Sequence, residues 1–521
     1  MRGPMTARGW VPRAASSGDR PSTSASSSGG GRRISYLWLA LPLAFLGVML
    51  LFYPFRYVFE FDTDEGINAI KALLSLRGFG LYSEIWNDQP PVFTLLLVFW
   101  FRLFGLRVVA GRALVLLFSS ALIAGAVLYL RRSWGREAAV AGLLFLVLLP
   151  FYCELSVSIM IGLPSIAFGI LSFAGHVRWH EDRRPVWLIL SGASLALAIL
   201  TKAFTVILVP LWVLGLILAL RHDLRLEPGR LRSWLPFLTW GLPFVAICLL
   251  ALFLVIGPEN VGQLVEVHLA AERSPAFVPS ELLPTINTFL RKLIPLFLLA
   301  GVGAYHAVRN RTWHSLYLVG WVASAYALLL FNRPTWPHQQ LLITVPAAIL
   351  AAIGAGTAIR DLVTRLRSRP FSSSGLPVTL ISLAAALVFV ATRGPATLDE
   401  FDLDLPNLKT SPSTNLQERQ IVALMSDHAQ ETRWVFTDRP MFAFLAKLPV
   451  PPFLAVLSSK RLLSGELTQI EILEELVAYK PEMVLAGRFD VPAAREYMRR
   501  RNFRRIDETP FYRLYFRLNP P

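Results

Sequence analysis

Charge is scarce in this chain. Only 17% of its 521 residues are Asp, Glu, Lys or Arg, where a soluble domain carries about a quarter. Hydrophobic residues make up 54%, and the mean hydropathy is +0.50. Apolar runs of bilayer-spanning length recur, which predicts a polytopic α-helical membrane protein. Cysteine is nearly absent. Cys153 and Cys248 both sit in apolar runs, which excludes a disulfide framework. The eight His residues show no H-E-x-x-H spacing, and no Gly-rich phosphate loop occurs. No nucleotide site is therefore expected. No solenoid-type repeat is present. The formal charge of +16 would suggest nucleic acid in a soluble protein. Here the Arg residues fall in short blocks between apolar runs, as in cytoplasmic loops, so nucleic acid is not an expected partner.

Residues 1–33 are rich in Ser, Gly and Arg and read as a disordered basic tail. The run Tyr36–Tyr53 reads as an uncleaved first span that leaves this tail in the cytoplasm. An amphipathic helix over about 63–77 follows, with Asp62 and Glu65 spaced as a capping box and Gly78 placed to end it. The run 91–104 is short for a span. If it only dips into the interface, every later Arg block falls on the cytoplasmic side. Roughly eleven spans then follow: near 36–56, 108–130, 138–153, 158–175, 186–200, 205–220, 234–256, 292–308, 314–331, 340–359 and 376–392. Residues 34–392 form the membrane domain, with a first outer loop over about 58–107. Residues 393–521 hold no spanning run and read as a small extracytoplasmic α/β domain. Its predicted strands are 434–437, 483–486 and 511–516, and its helices open at Thr468 and Asp490-Val491-Pro492.

The polar candidates converge on the predicted outer face. Asp62, Asp64, Glu65 and Asp88 lie in the first loop, and Lys202 in a later one. His268 and Arg273 follow, then Arg333 and His338. A carboxylate at a lipid surface can take the proton of an incoming hydroxyl. Cations suit an anionic leaving group such as a lipid phosphate. Asp62 and Glu65 also have a plain role as helix caps, which Asp64 does not.

The order of motifs in the first loop resembles a known family. Asp64-Glu65 is followed by a helix, Gly80, Leu81-Tyr82, Pro90-Pro91 and Phe104-Gly105. Leu200-Thr201-Lys202 and Arg333-Pro334 through His338, ahead of Pro346, extend the likeness. The pattern is similar to the protein O-mannosyltransferases and the lipid A aminoarabinose transferase. These are polyprenyl-phosphate-sugar-dependent glycosyltransferases of the GT-C fold, related to glycosyltransferase family 39. The resemblance implies that Asp64 is the catalytic carboxylate with Glu65 beside it. It implies that Lys202, Arg273, Arg333 and His338 hold the donor phosphate. Asp62, Asp88 and His268, on the same predicted face, are the expected acceptor or loop contacts. Where relatives often carry Lys or His before Pro-Pro, this chain has Gln89.

These readings predict an inverting, multi-pass glycosyltransferase of a bacterial plasma membrane. Its donor would be a polyprenyl-phosphate sugar, and its acceptor a hydroxyl. No cofactor is called for, and a divalent metal is compatible with the carboxylates. The rival reading is a transporter or flippase of lipid-linked sugars. That would place charges within the spans and show broken helices and an internal repeat.

Overall fold

The computed structural model describes residues 36–226, 231–274, 276, 282–332, 334–367, 375–402, 412–508 and 512–517. Arg333 therefore lies outside the described residues. The basic tail does too.

Each segment expected to span contains a helix. Six helices are long and apolar enough to cross a bilayer by length and composition: Val108–Ser133, Ala203–Arg221, Leu235–Ile256, Trp313–Phe331, Pro337–Arg367 and Leu376–Asp399. Four shorter apolar helices accompany them, among them α1 (Ala40–Phe52) and α3 (Val92–Phe104). At 1.5 Å per residue, α3 is only about 20 Å long, too short for a hydrocarbon core of about 30 Å. The long helix Leu341–Arg367 is buried from Leu341 to Ala358 and forms the axis of the bundle.

The two ends of the bundle differ in chemistry. At one end the Arg blocks meet. Arg132 of α4 (Val108–Ser133) pairs with Glu181, and the Arg360 guanidinium donates to the Trp134 carbonyl at 2.6 Å. At the other end lies α2 (Thr63–Leu76), which carries the first carboxylates. Its buried side is Ile67, Ala69, Ile70, Ala72, Leu73 and Leu74, the amphipathic face expected from the sequence. Gly78, at φ +99°, ends it.

The C-terminal residues build a four-stranded sheet in the order β1-β2-β4-β3. The strands are β1 (Val435–Thr437), β2 (Met483–Ala486), β3 (Phe503–Glu508) and β4 (Arg513–Arg517). β1 and β2 are parallel, and the other pairs are antiparallel. Thr468 caps the helix Gln469–Tyr479 through a complete capping box with Glu471. Pro492 opens the helix Pro492–Arg499. The preceding helix, Leu376–Asp399, runs on past the composition change at Arg393, whose side chain donates to the Leu148 carbonyl.

This sheet region is fused to the first loop. Ala69, Ile70 and Leu73 of α2 share one apolar core with Met441, Phe442, Met483 and Leu514. Phe59 packs on Phe442 with ring centroids 4.7 Å apart. A Cβ on Gly66 would stand 2.5 Å from the Met441 backbone nitrogen, so only glycine allows this approach.

Candidate active site at the first turn of α2

The chain enters α2 through Asp62, whose Oδ1 accepts from the Asp64 amide at 3.0 Å. That is an N-cap, and it leaves Asp64 and Glu65 on the first turn. The expected capping box is altered. Glu65 reaches one residue further back, and its Oε2 accepts from the Phe61 amide at 2.8 Å.

The cause is Arg112 of α4. This wholly buried guanidinium grips Glu65 through Nη2–Oε2 at 2.7 Å and Nε–Oε1 at 3.0 Å. The Ile159 amide adds a bond to Oε1 at 2.8 Å. Arg112 also donates to the carbonyls of Phe55, Val58 and Phe59. Four donors occupy the Glu65 carboxylate, which is its full lone-pair capacity. Glu65 thus ties the loop, α4 and the 157–161 segment together. Geometry gives it no open edge toward a substrate.

Asp64 has no such partners. It keeps solvent access. Enough protein surrounds it to strip part of its hydration, and Asp62 and Asp88 add like charge. Together these push its carboxyl up to about 6, against the pull of Lys202 and Arg488. Lys202 follows the helix Pro185–Ile199. Burial pulls its ammonium down to about 8, although Asp64 and Asp62 favour its charge. The two groups feel each other without an ion pair within 4 Å, so burial outweighs their attraction on both sides. Lys202 and His338 line one small cavity of about 20 Å³ with Phe204, Thr205 and Gln339.

Asp88 is held from the other direction. Burial would raise its pKa, but Lys460 and His268 outweigh that and keep it low. The Lys460 ammonium lies 3.6 Å from the Asp88 carboxylate and 2.6 Å from His268 Nδ1. Behind this trio, the Lys71 ammonium donates to Asn87 Oδ1 at 2.9 Å. The Asn87 backbone amide in turn donates to Gln263 Oε1 at 3.1 Å. Arg461 stacks on Trp86, 3.9 Å from the ring centre.

The structure thus brings Asp62, Asp64, Asp88, Lys202 and His268 into one electrostatic cluster, with His338 beside Lys202. Arg273 is exposed on the last turn of the helix Val261–Arg273, beyond His268. Sequence reasoning missed Lys71, Lys460 and Arg488. The last two come from the C-terminal region, and no local motif marks them. Among the described residues, no group of three or more His, Cys, Asp or Glu side chains is placed to hold a metal ion.

Residues 88–251 match the family model described as dolichyl-phosphate-mannose-protein mannosyltransferase. No curated protein sequence matches the chain. Among solved structures, ArnT from Cupriavidus metallidurans bound to undecaprenyl phosphate aligns at a TM-score of 0.62 and 16% identity, covering 92% of this chain and 97% of that one. The same protein in the apo state aligns at 0.59 and 15% over the same shares. The archaeal oligosaccharyltransferase AglB from Archaeoglobus fulgidus, in complex with an inhibitory peptide and a dolichol-phosphate, aligns at 0.51 and 12%, covering 87% and 69%. Over nine-tenths of its length, then, this chain has an ArnT-like membrane fold of the GT-C type, completed by a small C-terminal sheet.

Proposed function

We propose that the chain is an inverting glycosyltransferase. It moves a sugar from a polyprenyl-phosphate donor to a hydroxyl acceptor at the outer face of the plasma membrane. The observation that carries this reading is the contrast on the first turn of α2. One carboxylate there is saturated, while Asp64 is open, raised to about 6 and set beside Lys202. The family match to dolichyl-phosphate-mannose-dependent transferases and the lipid phosphates bound by both structural neighbours support the donor class.

In this mechanism the acceptor oxygen attacks the anomeric carbon from the face opposite the phosphate. The hydroxyl proton passes to the Asp64 carboxylate as the new carbon–oxygen bond forms. The bond from carbon to the phosphate oxygen breaks, and its electron pair leaves with the lipid phosphate. Lys202, with His338 beside it, stabilises the departing charge. Lys460 and His268 keep Asp88 ionised, and that charge raises the proton affinity of Asp64. Glu65 is a positioning residue: through Arg112 it holds the turn that aims Asp64.

The test is transfer of label from a panel of radiolabelled polyprenyl-phosphate sugars by the purified chain in detergent, with a membrane extract as acceptor. Loss of sugar from one donor, abolished by Asp64→Asn, is the expected result. Tight donor binding with no turnover on any donor, unaffected by Asp64→Asn, would transfer the reading to a lipid carrier.

A further inference from the structure

A second basic site shares Arg112 with the Glu65 clamp and none of its lining with the Asp64 cluster. It is a cavity of about 1010 Å³ between the end of α1, the α3–α4 junction and the helix Pro412–Asp427. That exceeds the usual size of a small-ligand pocket. Arg56, Arg107 and Arg419 line it with exposed side chains, and Arg112 forms part of its inner wall. No acidic side chain lines it among the described residues. Glu65 neutralises Arg112, so three positive charges face the cavity uncompensated. Arg419 is steered toward it by a bond of 3.4 Å to the Tyr57 carbonyl.

The backbone adds to this field. Arg107 is the N-cap of α4. The first intrahelical bonds come from the Ala110 and Gly111 amides to the Arg107 carbonyl. The amides of Val108 and Val109 precede these bonds, at the positive end of a long helix that lines the cavity.

The remaining wall is apolar. Trp100 packs on Phe104 with ring centroids 4.3 Å apart, and its indole is anchored on the Ala110 carbonyl at 2.8 Å. Phe104 is 53% exposed and Val109 39%. Both lie on the apolar α3–α4 corner of a membrane protein. A cavity with three arginines and a helix start at one side, and an exposed aromatic wall at the other, is built for a ligand with an anionic head and a hydrocarbon tail.

We propose that this cavity binds a phosphate-headed lipid, its phosphate held by Arg56, Arg107 and Arg419 and its chain lying along Trp100 and Phe104. The chemistry is shared by two sources, the phosphodiester of a bilayer phospholipid and the phosphomonoester of a polyprenyl chain. The site is separate from the Asp64 cluster and does not depend on the transfer reaction.

The experiment uses the full chain, purified in uncharged detergent, and fluorescently labelled phosphatidylglycerol. Binding is read by anisotropy. The expected result is saturable binding, at least about tenfold tighter than for labelled phosphatidylcholine and weakened by added salt. Arg107→Gln with Arg419→Gln should weaken it about tenfold or more, whereas the corresponding double Lys variant retains most of it. Asp64→Asn and Lys202→Gln leave it unchanged. Displacement at lower concentration by unlabelled polyprenyl phosphate than by unlabelled phosphatidylglycerol assigns the site to the monoester, and the reverse order to the phospholipid. Equal affinity for phosphatidylcholine in the wild type, or no response to salt, overturns the proposal without any variant. So does unchanged affinity in a double Gln variant that melts like the wild type.

Discussion

Asp64 and Glu65 are adjacent on one helical turn, yet the regions they face differ in kind. Around Glu65 the protein supplies four donors, one for each lone-pair direction, from α4, the loop and the 157–161 segment. Around Asp64 it supplies like charge from Asp62 and Asp88 and, without direct contact, the cations Lys202 and Arg488. The first arrangement spends a carboxylate on holding backbone in place. The second leaves a carboxylate with a raised appetite for a proton and room to take one. The family resemblance names the two carboxylates together; their surroundings differ. Two identical functional groups, one residue apart, are set apart by their hydrogen bonds and by the charges around them.

This contrast can be broken most directly at Asp64. Asp64→Asn should lower turnover by about 10²–10⁴-fold while the melting temperature in detergent stays at the wild-type value. A large loss of stability instead would mean that Asp64 is also structural. Next comes Glu65→Gln, which leaves buried Arg112 half-paired and should cost about 3–5 kcal/mol of stability. Its readout is thermal melting, and Glu65→Leu combined with Arg112→Met should recover part of the loss. Wild-type melting with abolished turnover in Glu65→Gln would erase the distinction drawn here. Lys202→Ala should reduce kcat/KM by about 10²-fold, and Lys202→Arg should retain more.

The pH profile sharpens the same contrast. The proposed mechanism needs Asp64 ionised, so kcat/KM should fall as pH drops through about 6. The same mechanism needs Lys202 charged, so kcat/KM should also fall as pH rises through about 8. Lys71 is pulled down to about 8 as well. Movement of the alkaline limb to higher pH in Lys202→Arg separates the two lysines.

The smallest effect concerns Glu60, at the seam with the C-terminal region. Burial pushes its carboxyl up to about 8, from 4.5, despite Arg439 at 3.3 Å. Arg439 is itself raised by Glu60, so the pair is attractive, but burial costs Glu60 more than Arg439 returns. A raised carboxyl binds its proton more tightly in the folded state. Stability therefore declines as pH climbs from about 4.5 to about 8. In Glu60→Gln this slope should flatten, and melting at pH 8.5 should be no lower than in the wild type.

Much of the framework was legible in the sequence because apolar runs and caps are local signals. The α2 boundaries followed from Asp62 and Gly78, and the Gln469–Tyr479 helix from Thr468 and Glu471. β1 and β2 are buried apolar runs and could be read. β3 escaped because Phe503-Arg504-Arg505-Ile506-Asp507-Glu508 is an edge strand with little burial, and its charges mask its pairing. The Glu65 clamp escaped for another reason. In the sequence Arg112 follows closely on Arg102 and Arg107 and looks like one more charge flanking an apolar run. It lies instead inside the apolar helix α4, and a charge there is itself a sign of a buried partner. Lys460 and Arg488 could not be read at all. Their relation to Asp64 and Asp88 exists only after the sheet region docks, across a separation no local pattern spans.

The core shared by α2 and the sheet also bears on the order of biosynthesis. The turn carrying Asp64 is made early, but Met441, Lys460 and Arg488 are made roughly 400 residues later. At about 5–20 residues per second, that delay is on the order of 20–80 seconds. During it, the α2 face of the nascent chain packs on α3 residues such as Phe93, Leu97 and Phe101, without Met441, Phe442, Met483 and Leu514. A chain that stops before residue 440 keeps the Glu65–Arg112 clamp but lacks the cations Lys460 and Arg488 that face Asp88 and Asp64. The mark of such a product is an Ala69–Leu73 face covered on one side only, by α3.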